Sequence, residues 1–318
     1  MVTLSVEGFV DTHVHTGPAP FRRIGDTIDI AKWCAEAGMA GIVIKSHFEA
    51  TIAKVYHARK EVPDLPVFAG VALNIGAGGI NPGAVEQALR QDARFVWMPT
   101  LDSANHRKVF GKEGVFGSVG SLSYGIPSKH SGDGYTILNG SRLTDAAKDV
   151  VDLIADHKAV LATGHLDSKE IMTLVEYAIS RGVKKIIITH PEMYVPNLDI
   201  RTQVELAEQG CFMEYCAVNC MPTFHCVTPE QFKEAIDAVT PARAILATDS
   251  GQPSSPKTPA LFRIFVQALY ERGVPLEAIA QMAIKNPAAL VGIVPKQDHV
   301  VYSEANVGLP VYKKSQPN

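Results

Sequence analysis

The sequence has no uninterrupted apolar run of the ~18 residues that a membrane-spanning helix requires. It also has no excess of basic residues, since 30 Lys and Arg stand against 33 Asp and Glu and leave a formal net charge of -3. The first absence argues against a membrane partner, and the second argues against nucleic acid. With 46% hydrophobic and 20% charged residues, the composition is typical of a soluble globular protein.

Cysteine is scarce, and its spacing shows no pair of the C-x-x-C type. The five residues are Cys34, Cys211, Cys216, Cys220 and Cys226. An odd number without paired spacing argues against a disulfide framework, so we expect reduced thiols. The N-terminal residues lack the basic start and long apolar core of a signal peptide, and the expected location is therefore the cytoplasm.

Short apolar runs of strand length recur along the chain, and each is followed by a segment with helical periodicity. This alternation is typical of βα units around a parallel sheet. The expected strands are Gly8–His13, Gly41–Lys45, Val67–Asn74, Phe95–Thr100, Ala159–Gly164, Lys185–Thr189, Cys211–Cys216 and Ala244–Thr248. Eight units favour an α/β fold of the (β/α)8 TIM-barrel type over an open doubly wound sheet, which usually has fewer strands.

The intervening amphipathic segments predict the helices of this barrel. They are Asp26–Ala37, Thr51–Glu61, Pro82–Arg90, Ser141–Asp156, Ser168–Arg181, Arg201–Gln209 and Thr228–Ala238, followed by the extra C-terminal helices Pro259–Glu271 and Pro275–Leu290. We expect residues 1–318 to form a single barrel domain with its core at about 9–292. The tail at 295–318 has no strong pattern, and the long Gly/Ser-rich loop after strand four, roughly 101–140, is interpreted as a lid.

Polar residues that can bind a metal occur at the C-terminal ends of four expected strands, where TIM barrels build their active sites. They are His13, His15, His165, His190 and Asp249. Residues two apart in a strand point to the same side, so His13 and His15 can bind one ion. A single histidine is more often a packing residue, but five such residues on one rim favour a metal site. Imidazole and carboxylate suit zinc, and less tightly manganese, iron or cobalt.

Such an ion would lower the pKa of a coordinated water to ~7 and so provide a nucleophile at neutral pH. Asp249 could take the proton of that water and pass it to the leaving group. His190, if it is not a ligand, could polarise the oxygen of the substrate.

The ordered motifs resemble those of the amidohydrolase superfamily of metal-dependent barrel enzymes. The resemblance runs through VDTHVH at 10–15, GH at 164–165, ITH at 188–190, ATDSG at 247–251 and KNPAALVG at 285–292. It implies that His13, His15 and His165 are ligands, that His190 is a ligand or catalytic, and that Asp249 is a ligand and proton shuttle.

Strand four ends in WMPTLD at 97–102, without the bridging Lys or Glu of two-metal members, so one ion is favoured over two. The early first strand resembles the compact barrel-only branches.

Substrate contacts are predicted at Lys45 and His47 after strand two, and at Arg22 or its neighbour Arg23 after strand one. Lys45 could instead be a rim lysine or, if carbamylated, a bridge between two ions, and His47 could be a simple loop residue. A guanidinium could hold an anionic substrate by a bidentate pair, although a solvated helix entrance explains both arginines equally well.

Two further groups of residues have weaker claims. His106 and His130 reach the site only if the long loop folds over it. Glu214 and Cys216 end strand seven, where the thiols are interpreted as buried residues and not as a second metal site.

The favoured reaction is hydrolysis of a small C–N (amide or imide) or lactone bond by metal-activated water. The alternative is a non-oxidative decarboxylase of a small unsaturated or aromatic acid. A metal-bearing barrel that binds a ligand without turnover is a third reading. A small-molecule substrate is the expected partner, and the resemblance is compatible with a homo-oligomer.

Overall fold

The computed structural model describes residues 2–111 and 132–304, and its centre is a sheet of eight parallel strands. In chain order these barrel strands are Val10–His15, Gly41–Lys45, Val67–Ala72, Ala93–Trp97, Val160–Ala162, Ile186–Thr189, Phe212–Cys216 and Ala244–Ala247. Each strand pairs in parallel with the next one along the chain. All eight predicted strands are therefore present, with their ends moved by a few residues.

The sheet closes on itself where the first barrel strand meets the end of the eighth. Val14 forms a parallel bridge with Ser250, and the backbone N–H of His15 donates to the carbonyl of Ser250 at 2.8 Å. This closure removes both edges of the sheet and confirms the predicted (β/α)8 TIM barrel.

Helices surround the barrel. They are Thr27–Glu36, Ile52–Glu61, Pro82–Arg90, Ala104–Phe110, Asp145–Asp156, Ser168–Ser180, Ile200–Glu208, Pro229–Val239, Thr258–Glu271, Leu276–Ala280 and Asn286–Val291. Their starts follow from local capping chemistry. At Thr228, for example, the hydroxyl accepts from Gln231 N at 3.3 Å, and the side chain of Gln231 accepts from Thr228 N at 2.8 Å. This reciprocal pair is the capping box expected from the sequence.

The barrel interior is filled by large apolar side chains that point inward from the strands, among them Phe95, Trp97 and Ile245. The helix Asn286–Val291 contributes Leu290 and Val291 to this same cluster. It is anchored by Asn286, whose amide donates to the carbonyls of Pro241 and Ala244 at 2.9 and 2.7 Å. A second apolar cluster lies between the strands and the surrounding helices. The barrel is thus a packed core and not a pore.

Two predicted helices differ from the structure. The helix expected at Ser141–Asp156 begins at Asp145, because the hydroxyl of Thr144 caps it by accepting from Ala147 N. The preceding residues instead form a small hairpin of Leu138–Asn139 with Arg142–Leu143. The helix expected at Pro275–Leu290 is interrupted by a π-helical turn at Gln281–Lys285.

The tail at 295–318, which shows no strong pattern in the sequence, contains a strand in its described part. Tyr302–Glu304 forms a strand that pairs antiparallel with Val2–Leu4, so the two ends of the described chain meet. Residues 112–131, which include about half of the proposed lid and His130, lie outside the described residues. Within those that are described, no helix is both long enough and apolar enough to cross a membrane.

Candidate active site

His13, His15 and Asp249 converge at the carboxyl ends of the barrel strands. The Nε2 atoms of His13 and His15 lie 3.3 and 3.1 Å from Oδ1 of Asp249. All three side chains are nearly excluded from solvent. The first strand and the end of the eighth are adjacent because the barrel closes there, and this closure brings together residues more than 230 positions apart.

Strand one contains a β-bulge at Thr12 and His13. Asp11 pairs with Ile42 and Val14 with Ile44, so two residues of strand one, Thr12 and His13, lie opposite a single residue of strand two. Such a bulge changes the direction of side chains at a strand end. His15 returns to register opposite Lys45, which places these two side chains side by side.

Three of the strand ends turn through the left-handed region of backbone conformation. The φ angles are 61° at Gly164, 30° at His190 and 50° at Asp249. This region is costly for residues with a side chain, and its use by two site candidates is typical of functional positions that the surrounding fold holds in place. Neighbouring threonines brace two of these turns: Thr189 N donates to the Thr163 hydroxyl, and Gly164 N donates to the Thr189 hydroxyl.

Glu214, the third residue of strand seven, contacts the edge of the His13 ring that points away from Asp249. Its Oε2 lies 3.1 Å from Nδ1 of His13, and its Oε1 accepts from the hydroxyl of Thr12 at 2.6 Å. With the His13 proton on Nδ1, the lone pair of Nε2 faces Asp249. Sequence reasoning noted Glu214 but assigned it no role, because its partner lies 201 residues earlier. The available signal was an acidic residue within an otherwise mostly apolar strand, two positions before its end.

Burial controls the charge of the histidines. It lowers the pKa of His13 and of His190 to about 3, and it holds the pKa of His15, His47 and His165 well below the usual range. These imidazoles are therefore neutral at pH 7 and keep a lone pair for a ligand. Burial also raises the pKa of Glu214 to about 7.

The remaining predicted histidines lie beside this group. The ring of His190 lies 6.1 Å from that of His13 and 5.0 Å from that of His165, between centroids. His165 also has Nδ1 at 2.9 Å from Nδ1 of His106. His106 thus reaches the site, but from the helix Ala104–Phe110 and not from a folded-over loop.

Two sets of side chains bring metal-binding atoms within 4.8 Å of one another among the described residues. One is His13 with His15 and Asp249, and the other is His13 with Glu214 and Cys216. The first set satisfies the donor chemistry of a zinc-type ion, with two neutral imidazoles and a carboxylate. In the same part of the chain, Nδ1 of His15 and Nδ1 of His190 are buried without a hydrogen-bond partner. His165 and His190 are neighbours of the first set but not members of it.

Lys45 lies deep in the site and not on the rim. Its side chain is 1% exposed, and Nζ lies 3.0 Å from Nε2 of His13 and 5.5 Å from the centroid of the Trp97 ring. His47, by contrast, is held at the edge by a 2.8 Å contact between its Nδ1 and the Thr100 hydroxyl. Its ring stacks on that of His15, with 4.6 Å between centroids.

A cavity with a volume of about 30 Å³ opens beside the convergent atoms. It is lined by His15, Phe21, Arg23, Lys45, His47, Leu101, His165, Met193, Phe224, Asp249 and Gln252. The lining includes Arg23 but not the predicted Arg22, which is exposed. In a loop, adjacent side chains need not share a direction, and the sequence pattern of two arginines does not distinguish them.

Solved structures of low sequence identity share this architecture. An amidohydrolase from Pseudomonas aeruginosa is 10% identical with a TM-score of 0.58, and the match covers 91% of this chain and 95% of that one. A lactonase from Listeria monocytogenes is 11% identical with a TM-score of 0.56, over 92% of this chain and 96% of that one. A third is N-acetyl-D-glucosamine-6-phosphate deacetylase from Mycobacterium smegmatis, at 17% identity and a TM-score of 0.52, over 92% of this chain and 79% of that one. These matches confirm the expected fold, a (β/α)8 barrel.

No curated protein sequence matches the chain. A family model described as "Family of unknown function (DUF6282)" matches residues 8–214. This range includes the first six barrel strands, part of the seventh, and the candidate ligands His13, His15, His165 and His190, but not Asp249. This chain therefore belongs to the family DUF6282.

Proposed function

We propose that this chain is a metal-dependent hydrolase of the amidohydrolase type that cleaves a small amide, imide or lactone bond. The observation that carries the proposal is the convergence of His13 Nε2, His15 Nε2 and Asp249 Oδ1 beside a cavity. Two neutral imidazoles and one carboxylate on a strand-end rim suit zinc best, with manganese, iron or cobalt as alternatives. We further propose His165 and His190 as additional ligands, and a single ion.

Lewis acidity and a water nucleophile at neutral pH are the chemistry that such an ion would supply. Asp249 is well placed to accept a proton from the attacking water, because its carboxylate borders the cavity. As the C–O bond to water forms and the C–N or lactone C–O bond breaks, the same proton passes from Asp249 to the leaving group. If His190 is not a ligand, its neutral imidazole can instead donate an N–H to the substrate oxygen on which charge develops.

The other residues orient this machinery. Glu214 holds the Nδ1 proton of His13 and so keeps Nε2 available as a ligand atom. Lys45 and His47 are the proposed substrate contacts on the strand-two side of the cavity. Cys216 lies 3.8 Å from Nδ1 of His13, but burial holds its thiol pKa well above the usual range, which disfavours the thiolate that a ligand requires.

Metal content of the purified protein, measured by elemental mass spectrometry, tests the proposal. We expect about one equivalent of a transition metal in the wild type, its loss in His13→Ala, and its retention in His57→Ala, a matched change at an exposed helical histidine. Absence of metal in the wild type, even after incubation with zinc or manganese, would refute the proposal.

A screen of small lactones, amides and carboxylic acids then identifies the reaction. Release of an acid and an alcohol or amine supports hydrolysis. Release of carbon dioxide without water addition would instead support decarboxylation.

A further inference from the structure

Arg23 lines the cavity with a guanidinium that has no hydrogen-bond partner among the described residues, although the charge of Asp249 acts on it. Its guanidinium makes no hydrogen bond or ion pair with any residue of 2–111 or 132–304, and its Nε atom is buried without an acceptor. Its recorded neighbour is the Phe21 ring, whose centroid lies 4.4 Å from Cζ. A buried donor without an acceptor is costly in a folded protein, and such groups commonly await a ligand.

The loop that carries Arg23 is held in place, so the position of this side chain is built into the fold. Its two ends meet, because Gly17 N donates to the carbonyl of Gly25 at 2.9 Å. Its middle is tied to the eighth strand end, because Ile24 N donates to the carbonyl of Gly251 at 3.1 Å. Gly251 is two residues from Asp249, so these contacts hold the loop backbone next to the eighth strand end, and Arg23 and Asp249 line the same cavity.

The charges that line the cavity are unbalanced. Two basic side chains, Arg23 and Lys45, line it, whereas Asp249 is the acidic side chain among the lining residues of the described chain. A divalent ion at the proposed site would add further positive charge. A substrate that carries a negative charge would reduce this imbalance, whereas a neutral apolar substrate would leave the buried Nε of Arg23 without an acceptor.

The remaining lining distinguishes among anions. Phe21, Leu101, Met193 and Phe224 provide apolar surface opposite the polar strand ends. A cation–π contact uses the face of the guanidinium and leaves its edge, with two parallel N–H groups, free to bind a carboxylate in a bidentate pair. Fully hydrated inorganic anions make no use of an apolar wall.

We propose that Arg23 is a specificity-determining residue that binds a carboxylate of the substrate, so that the site acts on a small organic acid with an apolar part. This inference rests on the proposed hydrolase function, because it assigns the substrate class of the same cavity. The reacting bond would then lie in a molecule that also bears a carboxylate, with that group directed toward the loop 17–25 and away from strand two.

Equilibrium binding of small acids tests the assignment without turnover. Acetate, butyrate and benzoate would each be titrated by calorimetry or ligand-observed NMR against the protein as purified and after metal removal, beside the matched neutral amides. We expect at least one acid to bind in both forms of the protein, about tenfold or more tightly than its amide. Arg23→Met should lower the affinity for that acid by about 10-fold or more, as expected for the loss of a charge-assisted hydrogen bond.

Arg22→Met is the matched control, since Arg22 is the adjacent exposed arginine and does not line the cavity. It should leave the affinity within about twofold of the wild type. Equal binding of acids and amides, absence of binding of every acid, or unchanged acid binding in Arg23→Met would each overturn the proposal. Binding of inorganic phosphate in preference to all three acids would overturn the choice of carboxylate.

The two proposals fail differently. If the protein holds no metal and hydrolyses nothing, but acid binding depends on Arg23, the anion site stands and the hydrolase function falls. If metal and turnover are found with neutral substrates alone, and acids do not bind, the hydrolase function stands and the role of Arg23 falls.

Discussion

Glu214 contacts His13 through Nδ1 at 3.1 Å and thereby determines which ring nitrogen faces Asp249. The carboxylate comes from strand seven and the imidazole from strand one, so closure of the barrel creates the pair. In metal sites, an acceptor behind a ligating histidine orients the ring and raises its basicity. The contact gives Glu214 a function that its burial alone would not reveal.

Glu214→Ala should lower the affinity for zinc by about 10- to 100-fold, because His13 loses the acceptor that orients it. Competition with a chromogenic chelator measures the dissociation constant. Cys216→Ala is the matched control on the same strand, and its affinity should remain near that of the wild type. An affinity that falls only in Cys216→Ala would assign the thiol, and not the His13–Glu214 pair, to the metal.

Asp249→Asn should reduce turnover by at least about 100-fold, because the amide cannot accept the proton of the attacking water. Kinetics on the substrate identified by the screen provide the measurement, with metal content determined in parallel. The useful comparison is kcat per bound metal, which separates lost proton transfer from lost metal. Activity per metal that survives this substitution would contradict the role of Asp249.

Asp11 should be a structural link between the first and eighth strands. Its carboxylate accepts from Thr248 N at 3.0 Å and from the Thr248 hydroxyl at 2.6 Å, within the barrel and away from solvent. Asp11→Ala leaves these donors without an acceptor, so we expect the free energy of unfolding to fall by about 3 kcal/mol. Urea denaturation measures the change.

A double-mutant cycle isolates this contact. The double variant Asp11→Ala/Thr248→Val should lose less free energy of unfolding than the two single variants lose together. We expect the difference to be about 1 kcal/mol or more. Additive losses would mean that the two side chains do not stabilise the fold through each other.

Gly251→Ala should disrupt the candidate metal site, whereas Gly182→Ala should leave it intact. At Gly251 the φ angle is 124°, and an added Cβ would lie 2.2 Å from the carbonyl oxygen of His15. At Gly182 the φ angle is 81°, but no atom lies within 4 Å of such a Cβ. Both changes carry backbone strain of about 1–2 kcal/mol, and only the first also displaces His15.

Thermal unfolding and metal content distinguish the two glycine variants. We expect a lower Tm in both and lost metal in Gly251→Ala alone. Equal metal content in the two would show that the close approach of strands one and eight is not needed for the site.

Metal should stabilise the native protein, since the proposed ligands are assembled only by the fold. At a free metal concentration of 100 times the dissociation constant, one site contributes about 2.7 kcal/mol. Unfolding followed with and without a chelator measures this difference, and His13→Ala should abolish it. A wild type that is equally stable in both conditions would contradict an occupied native site.

Much of the barrel was predictable because its signals are local. Apolar runs of strand length, helical periodicity and capping residues such as Thr228 depend on near neighbours in the chain, and they predicted all eight barrel strands. The hairpin at 138–143 was missed because each of its strands has only two residues, which is too short to show an alternating pattern. The pairing of Val2–Leu4 with Tyr302–Glu304 was missed because the partners lie at opposite ends of the described chain.

The sequence by itself determined which chemistry is available: histidines and an aspartate at strand ends, on the rim where a parallel barrel exposes side chains. The tertiary structure decided which of them meet, because contacts across the closure of a barrel depend on register and on backbone direction at each strand end. It placed His13 between Glu214 and Asp249, brought His106 to His165, and selected Arg23 over Arg22 for the cavity. The alternation of apolar and polar residues along a strand predicts which face of the sheet a side chain occupies. Only the closed sheet determines which side chains of other strands it contacts.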